Sequence, residues 1–146
     1  MYYLNNGGTE LSKPLSVKDF MKRDLVTFAP ETNVSAAIRV LLKHKISGAP
    51  VIDDSGWIVG MLSEYDCLKP NLISSYHSDM GILVKDYMST DVTTIKAHLS
   101  LTEAAQIFID KGLRRLPVVE NKKLIGQISR RDILEAINKS LNSTDK

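Results

Sequence analysis

The chain of 146 residues has a single cysteine, Cys67, so no disulfide can form within it and packing has to hold its fold. A reducing compartment suits such a chain, and Cys67 reads as a packing residue. The three histidines, His44, His77 and His98, lie far apart with no cysteine or carboxylate at ligand spacing, which gives no sign of a metal site. No uninterrupted apolar run is long enough to span a bilayer, and residues 1–8 have neither the basic nor the apolar stretch of a secretory leader. The cytoplasm is the simplest expected location, with no membrane partner. Charge of one sign is also missing: 19 Lys and Arg against 17 Asp and Glu leave +2, too little by itself to draw in nucleic acid or an anionic surface. Gly7-Gly8 precedes no strand-helix fingerprint or Walker lysine, and no serine sits in a nucleophile elbow, so no enzymatic activity is indicated. What is present is 43% hydrophobic and 25% charged residues, the balance of a globular domain.

The chain also repeats itself. Val17-Lys18-Asp19-Phe20-Met21 returns 67 positions later as Val84-Lys85-Asp86-Tyr87-Met88, and Ala49-Pro50-Val51-Ile52 returns as Leu116-Pro117-Val118-Val119. Gly60-Met61-Leu62-Ser63-Glu64-Tyr65-Asp66 returns as Gly126-Gln127-Ile128-Ser129-Arg130-Arg131-Asp132, offset by 66 because the turn Asp53-Asp54-Ser55-Gly56 has lost a residue in the second copy. A repeat of about 55 residues is too small to be comfortably stable alone, so the two are expected to share one core.

Within each copy the periodicity predicts β-α-β-β-α. Leu25-Val26-Thr27-Phe28 is a short strand candidate. Val34, Ala37, Ile38, Leu41 and Leu42 form one apolar helical stripe, matched by Leu101, Ala104, Ala105, Phe108 and Ile109, with a capping box in Ser100 and Glu103. Two strands joined by a short turn follow, 49–53 with 57–62 and 116–120 with 123–128, and the pair should be antiparallel. A strand ahead of the helix would lie parallel to its neighbour if it joins the same sheet. The closing helix is cut short by Pro70 in the first copy and runs through Ile133, Leu134, Ile137 and Leu141 in the second. The divisions are an arm over 1–16, a repeat over 17–70, a connecting segment over 71–83 that reads as a loop or irregular helix, a repeat over 84–141 and a polar, frayed tail over 142–146.

Gly126, Ser129 and Asp132 fall where a strand meets a helix. Glycine there leaves room for something to approach the backbone, and serine adds a hydroxyl beside unsatisfied helical amides, which suits an anion. The two oxygens of Asp132, one turn on, suit a cis-diol. A diol and a phosphate together describe a nucleotide, and Arg114, Arg115, Arg130 and Arg131 add guanidinium donors. The same spacing is also a plain helix cap.

The ordered set, present twice, resembles the cystathionine β-synthase (CBS) domain family in its tandem arrangement, the Bateman module, from Val17 to about Leu141. The resemblance rests on the Val-Lys-Asp-Phe-Met entry, the Ile46-Ser47-Gly48-Ala49-Pro50-Val51 and Leu113-Arg114-Arg115-Leu116-Pro117-Val118 strands, and Gly-x-x-Ser-x-x-Asp before the last helix. It implies an α/β fold with mixed sheets, two repeats packed about a pseudo-twofold axis, clefts for AMP, ADP, ATP or S-adenosylmethionine, and a homodimer. By the same resemblance Asp66 and Asp132 are the ribose-binding acids and Ser63 and Ser129 the hydroxyls beside phosphate. Ile46, Ser47, Leu113, Arg114 and Arg115 then line the base and phosphate walls, and Thr27 and Thr94 border the cleft. Glu64 and Tyr65 stand where the second copy has Arg130 and Arg131, so phosphorylated ligands should prefer the second cleft. Because the repeats fill the chain, any effector protein is expected to act in trans. The leading expectation is a regulatory module for an adenosine ligand. A dimerisation scaffold with vestigial clefts is the alternative, and nucleic-acid binding through the arginine cluster ranks below both because interleaved aromatics are absent.

Overall fold

Two eleven-residue helices with matching apolar faces organise the molecule: α2, Val34–His44, buries Val34, Ala37 and Leu41, and α5, Leu101–Lys111, buries Leu101, Ala104 and Phe108. The structure is a computed structural model and describes residues 3–4, 10–12, 15–76 and 81–144. The Asn33 side chain caps α2 by accepting the Ser35 N–H at 3.0 Å, and Ser100 and Glu103 close the expected capping box on α5. The stripes are narrower than their spacing suggests. Leu42 and Ile109, the last members of each, are 69% and 75% exposed.

Each helix leads into a hairpin. Strand β3, Gly48–Ile52, pairs antiparallel with β4, Ile58–Ser63, through a turn in which Asp53 accepts the Ser55 and Trp57 N–H groups and Gly56 takes φ +82. Strand β6, Arg115–Glu120, neighbours β7, Lys123–Ser129, across the two-residue turn Asn121-Lys122, whose φ angles of 52 and 69 mark the tighter connection left by the deletion. A two-residue connection admits only antiparallel strands. Strand β5, Ile95–Lys96, lies parallel to β6 as expected. Its counterpart in the first copy is not a strand: Phe28 alone joins β3, as a parallel bridge to Val51, because the turn closed by the Thr32 N–H on the Ala29 carbonyl leads the chain away at once.

Other elements also depart from expectation. The arm contains a small antiparallel pair, β1 at Tyr3–Leu4 and β2 at Glu10–Ser12, strands too short to show periodicity. The closing helix of the first copy is cut short as expected: α3 is only Glu64–Cys67, and Pro70 keeps Lys69 extended. Pro70 then takes the first position of a further helix, α4, Pro70–Ser75, where its missing N–H costs nothing. The helix expected to close the second copy near Leu141 continues into the tail, since α6 spans Arg130–Thr144. His77 and the rest of residues 77–80 lie outside the described residues. Among the described residues no helix is long and apolar enough to cross a membrane.

Two compact units result, and they are not the two sequence repeats. One unit comprises Met1–Arg23, Thr94–Glu120 and Ile125–Lys146; the other comprises Asp24–Thr93 and Asn121–Leu124. The entry of the first copy, α1 at Val17–Phe20, buries Val17 and Met21 in the core made by Ile95, Phe108, Leu116, Val118 and Ile128. The entry of the second copy buries Val84 among Phe28, Val34, Leu41, Val51 and Leu62. Backbone bonds repeat the exchange at equivalent places. The Val17 N–H donates to the Leu99 carbonyl and that of Val84 to the Thr32 carbonyl; Lys22 bonds Gln127 in both directions, as Ser89 bonds Met61.

The repeated glycines belong to this exchange. A Cβ on Gly126 would stand 2.6 Å from Met21 Sδ and 3.0 Å from the Lys22 carbonyl, and one on Gly60 would stand 2.5 Å from Met88 Sδ and 3.0 Å from the Ser89 carbonyl. Each copy therefore keeps a methionine and a glycine because each methionine packs on the other copy's glycine. What approaches the backbone there is the chain itself.

Candidate functional site: two strand-to-helix junctions

In the first unit β7 ends at Ser129 and α6 begins at Arg130. Asp132 Oδ2 accepts the Ser129 N–H at 2.9 Å, and Ser129 Oγ accepts the Asp132 N–H at 3.1 Å. This reciprocal cap fixes the aspartate against the sheet and buries it to 7% exposure, the one buried charged residue among those described. A buried carboxylate requires partners for its second oxygen as well. Lys22 meets Oδ1 at 3.6 Å, reaching it from the segment after α1. One carboxylate oxygen, not two, thus faces away from the cap.

The arginines gather at the same junction. The Arg130 N–H donates to the Arg114 carbonyl at 3.3 Å, which ties the segment before β6 to the start of α6. Arg114, Arg130 and Arg131 are exposed; Arg115 and Leu113 are half-buried, and Leu113 packs on the core. Thr94 directly precedes β5, one strand beyond β6, in this unit. The segments that carry the four arginines thus meet where Lys22 faces Asp132.

The second unit repeats the junction with different charges. The Ser63 N–H and Oγ–H donate to Asp66 Oδ2 at 2.9 and 3.0 Å, Ser63 Oγ accepts the Asp66 N–H at 3.2 Å, and the Glu64 N–H donates to the Ser47 carbonyl at 2.8 Å. Ile46 is half-buried against the core, and Thr27 precedes Phe28 beside β3. Here Lys69 faces Asp66 Oδ1 at 3.7 Å. Glu64 and Tyr65 occupy the helix start. The Ser63 hydroxyl donates to its aspartate, whereas the Ser129 hydroxyl only accepts from the Asp132 N–H.

Neither Lys22 nor Lys69 emerges from the repeat, because their counterparts are Ser89 and Glu135; packing brings Lys22 to Asp132, whereas Lys69 lies three residues after Asp66 in the chain. Cys67 ends α3 beneath this second junction. Burial first, then the Asp66 and Glu64 carboxylates, raise its pKa, while Lys69 lowers it, so the thiol stays protonated at neutral pH. Among the described residues no three His, Cys, Asp or Glu side chains gather as metal ligands.

Residues 17–70 and 84–139 match the CBS domain. The chain belongs to the CBS domain family. It resembles CBSX2 of Arabidopsis thaliana, a CBS-pair protein, with 32% identity, a TM-score of 0.80 and coverage of 89% of this chain and 99% of that one. A second structure, CBSX2 in complex with AMP, matches at 33% identity and a TM-score of 0.75 over 86% of this chain and 97% of the other. The uncharacterized protein MK0525 of Methanopyrus kandleri is 32% identical over 84% of this chain and 63% of its own length. The chloroplastic CBS domain-containing protein CBSX1 of Arabidopsis thaliana is 29% identical over 98% of this chain and 72% of its own. Both CBS matches begin at the entry valines, so each CBS repeat, as a stretch of sequence, contributes to both packed units.

Proposed function

We propose that this CBS pair is a non-enzymatic regulatory module that binds an adenosine-containing ligand, AMP, ADP, ATP or S-adenosylmethionine, at the Ser129 and Asp132 junction. The observation that carries the reading is the buried Asp132, held by its cap with one oxygen turned toward Lys22 beside Arg114 and Arg130. A ribose hydroxyl would donate to that oxygen, and phosphate would meet the lysine, the arginines, the Ser129 hydroxyl and the start of α6. The complex of CBSX2 with AMP supports the choice of ligand class. The Ser63 and Asp66 junction, with Glu64 at its helix start, is the weaker site. The module works in a reducing compartment such as the cytoplasm, as a homodimer, and passes its bound state to an effector protein.

The reciprocal caps at both junctions favour one competing reading, in which serine and aspartate only terminate strands and start helices. Calorimetric titration with AMP, ADP, ATP, S-adenosylmethionine and a DNA duplex separates the two. Heat from at least one adenosine ligand and none from the duplex is expected; silence from all four would leave a scaffold.

A further inference from the structure

Lys69 holds a position that the proposed ligand site does not call for. Its ammonium faces Asp66 Oδ1 at 3.7 Å, donates to the Tyr87 carbonyl at 3.4 Å and lies 5.9 Å from the centre of the Tyr87 ring. Asp66 Oδ2 already accepts two bonds from Ser63, so the oxygen that Lys69 faces is the one left for any other donor. Tyr87 belongs to the entry of the second repeat, which packs in this unit, and Lys69 therefore joins that entry to the junction. The chain holds the lysine there. Lys69 is the residue before α4, with φ −60 and ψ 132, and Pro70 at the first helical position restricts its backbone to this extended form.

The other junction is arranged differently. The counterpart of Lys69 is Glu135, and Asp132 meets Lys22, whose side chain is 64% exposed against 48% for Lys69. Lys69 has a carbonyl and a ring beside it as well as its carboxylate, where Lys22 has the carboxylate, and each added partner raises the cost of displacing the ammonium.

We infer that Lys69 is a built-in occupant of the first repeat's junction, an internal cation that takes the place of a ribose diol at Asp66 and closes that site. The CBS pair then takes its adenosine ligand at one site. The choice of ligand rests on the proposed function; the closure does not. A diol can bind Asp66 only through the oxygen that Lys69 faces, and ligand and lysine compete for it. Removing the ammonium frees that oxygen, while Glu64 still repels phosphate, so the opened site would favour adenosine over AMP and AMP over ATP.

Lys69→Met keeps the apolar stem and removes the charge, and Lys69→Gln removes the charge while keeping a donor for the Tyr87 carbonyl. Both are tested in an Asp132→Ala background, which weakens the other junction, by calorimetry with adenosine and AMP and by thermal unfolding. A folded double variant is expected to bind roughly five- to tenfold more tightly than Asp132→Ala alone, the span of an exposed ion pair and a cation–π contact combined. Adding Asp66→Ala should abolish the gain. Equal affinity in folded single and double variants, silence from both included, overturns the closure. Wild-type protein reports separately on the ligand class: if it binds no adenosine ligand, the proposed function is lost, while a gain on removing Lys69 would still establish the closed site.

Discussion

The Asp132 carboxylate has one oxygen on the Ser129 N–H and the other toward Lys22, and on the proposed function the first is structural and the second meets the ligand. The two tasks can be separated. Asp132→Asn keeps an acceptor for the Ser129 N–H but removes the charge, and Asp132→Ala removes both. If the carboxylate holds a ribose, both variants weaken adenosine-ligand binding by roughly ten- to a hundredfold, the worth of hydrogen bonds to a charged group. Alanine alone should also lower stability, by about 0.5–2 kcal/mol for a lost cap. Asp66→Ala should leave affinity close to wild type. Wild-type affinity in a folded Asp132→Asn protein would reduce Asp132 to a cap. Cys67 and Tyr76 give a second prediction. Burial raises both, with Asp66 and Glu64 adding to the thiol and Cys67 and Tyr87 adding to the phenol. The native state therefore keeps these protons after the unfolded chain has lost them at the ordinary values of 9.0 and 10.0. Their contribution to stability is whole below the unfolded value and declines as pH climbs toward the raised native one. Urea unfolding should show lower stability at pH 10 than at pH 7, with a shallower decline in Cys67→Ala, and a thiol reagent should label native Cys67 slowly at neutral pH.

At the scale of elements, the exchanged entries make a prediction that no intact pairing within one repeat would share. Gly126→Ala places a methyl against Met21 Sδ and the Lys22 carbonyl and should cost about 1–3 kcal/mol through overpacking. Met21→Ala removes the sulfur and should lessen the added cost of Gly126→Ala, whereas Met88→Ala, packed on Gly60, should combine with it additively. Thermal or urea unfolding of the two double-mutant cycles decides this, and coupling of Gly126 to Met88 in place of Met21 would refute the exchange. The same elements show what the sequence could and could not convey. Helices α2 and α5 and both hairpins are legible because their signals are local: a 3.6-residue stripe, a capping residue, a turn of Asp, Ser and Gly. The closing cap of Ser129 and Asp132 is legible for the same reason. The exchange is not, because both copies carry the same valine, methionine and glycine, and either entry fits either sheet by residue type alone. Duplication, which exposes the repeat, conceals which halves pack together. The role of Lys22 is hidden as well, since it reaches Asp132 only in the fold.

At the scale of the whole molecule, the question is what covers the apolar surface that the cores leave outside. In α6, Ile133 and Ala136 are buried, while Leu134, Ile137 and Leu141 are 65%, 46% and 58% exposed. Their spacing of three and then four places them on one face, and Ile109 of the neighbouring α5 is 75% exposed in the same unit. Helix α2 offers less than its sequence stripe suggests, since Val34, Ala37 and Leu41 lie in the core and Leu42 is what remains. Single exposed leucines need no explanation, but a stripe along a helix does. A second copy of the chain is the proposed cover, and α6 is therefore its main contact. Leu134→Glu with Ile137→Glu adds two carboxylates to that face without touching either core or the Ser129 and Asp132 cap. Sedimentation at micromolar concentration should give a dimer for wild type and a monomer for this double variant, whose secondary structure should stay intact. A wild-type protein of monomer mass would exclude the dimer; a dimer that survives both glutamates would place its interface on another face, with the exposed Tyr65, Leu68 and Ile73 of the second unit as the surface to alter next.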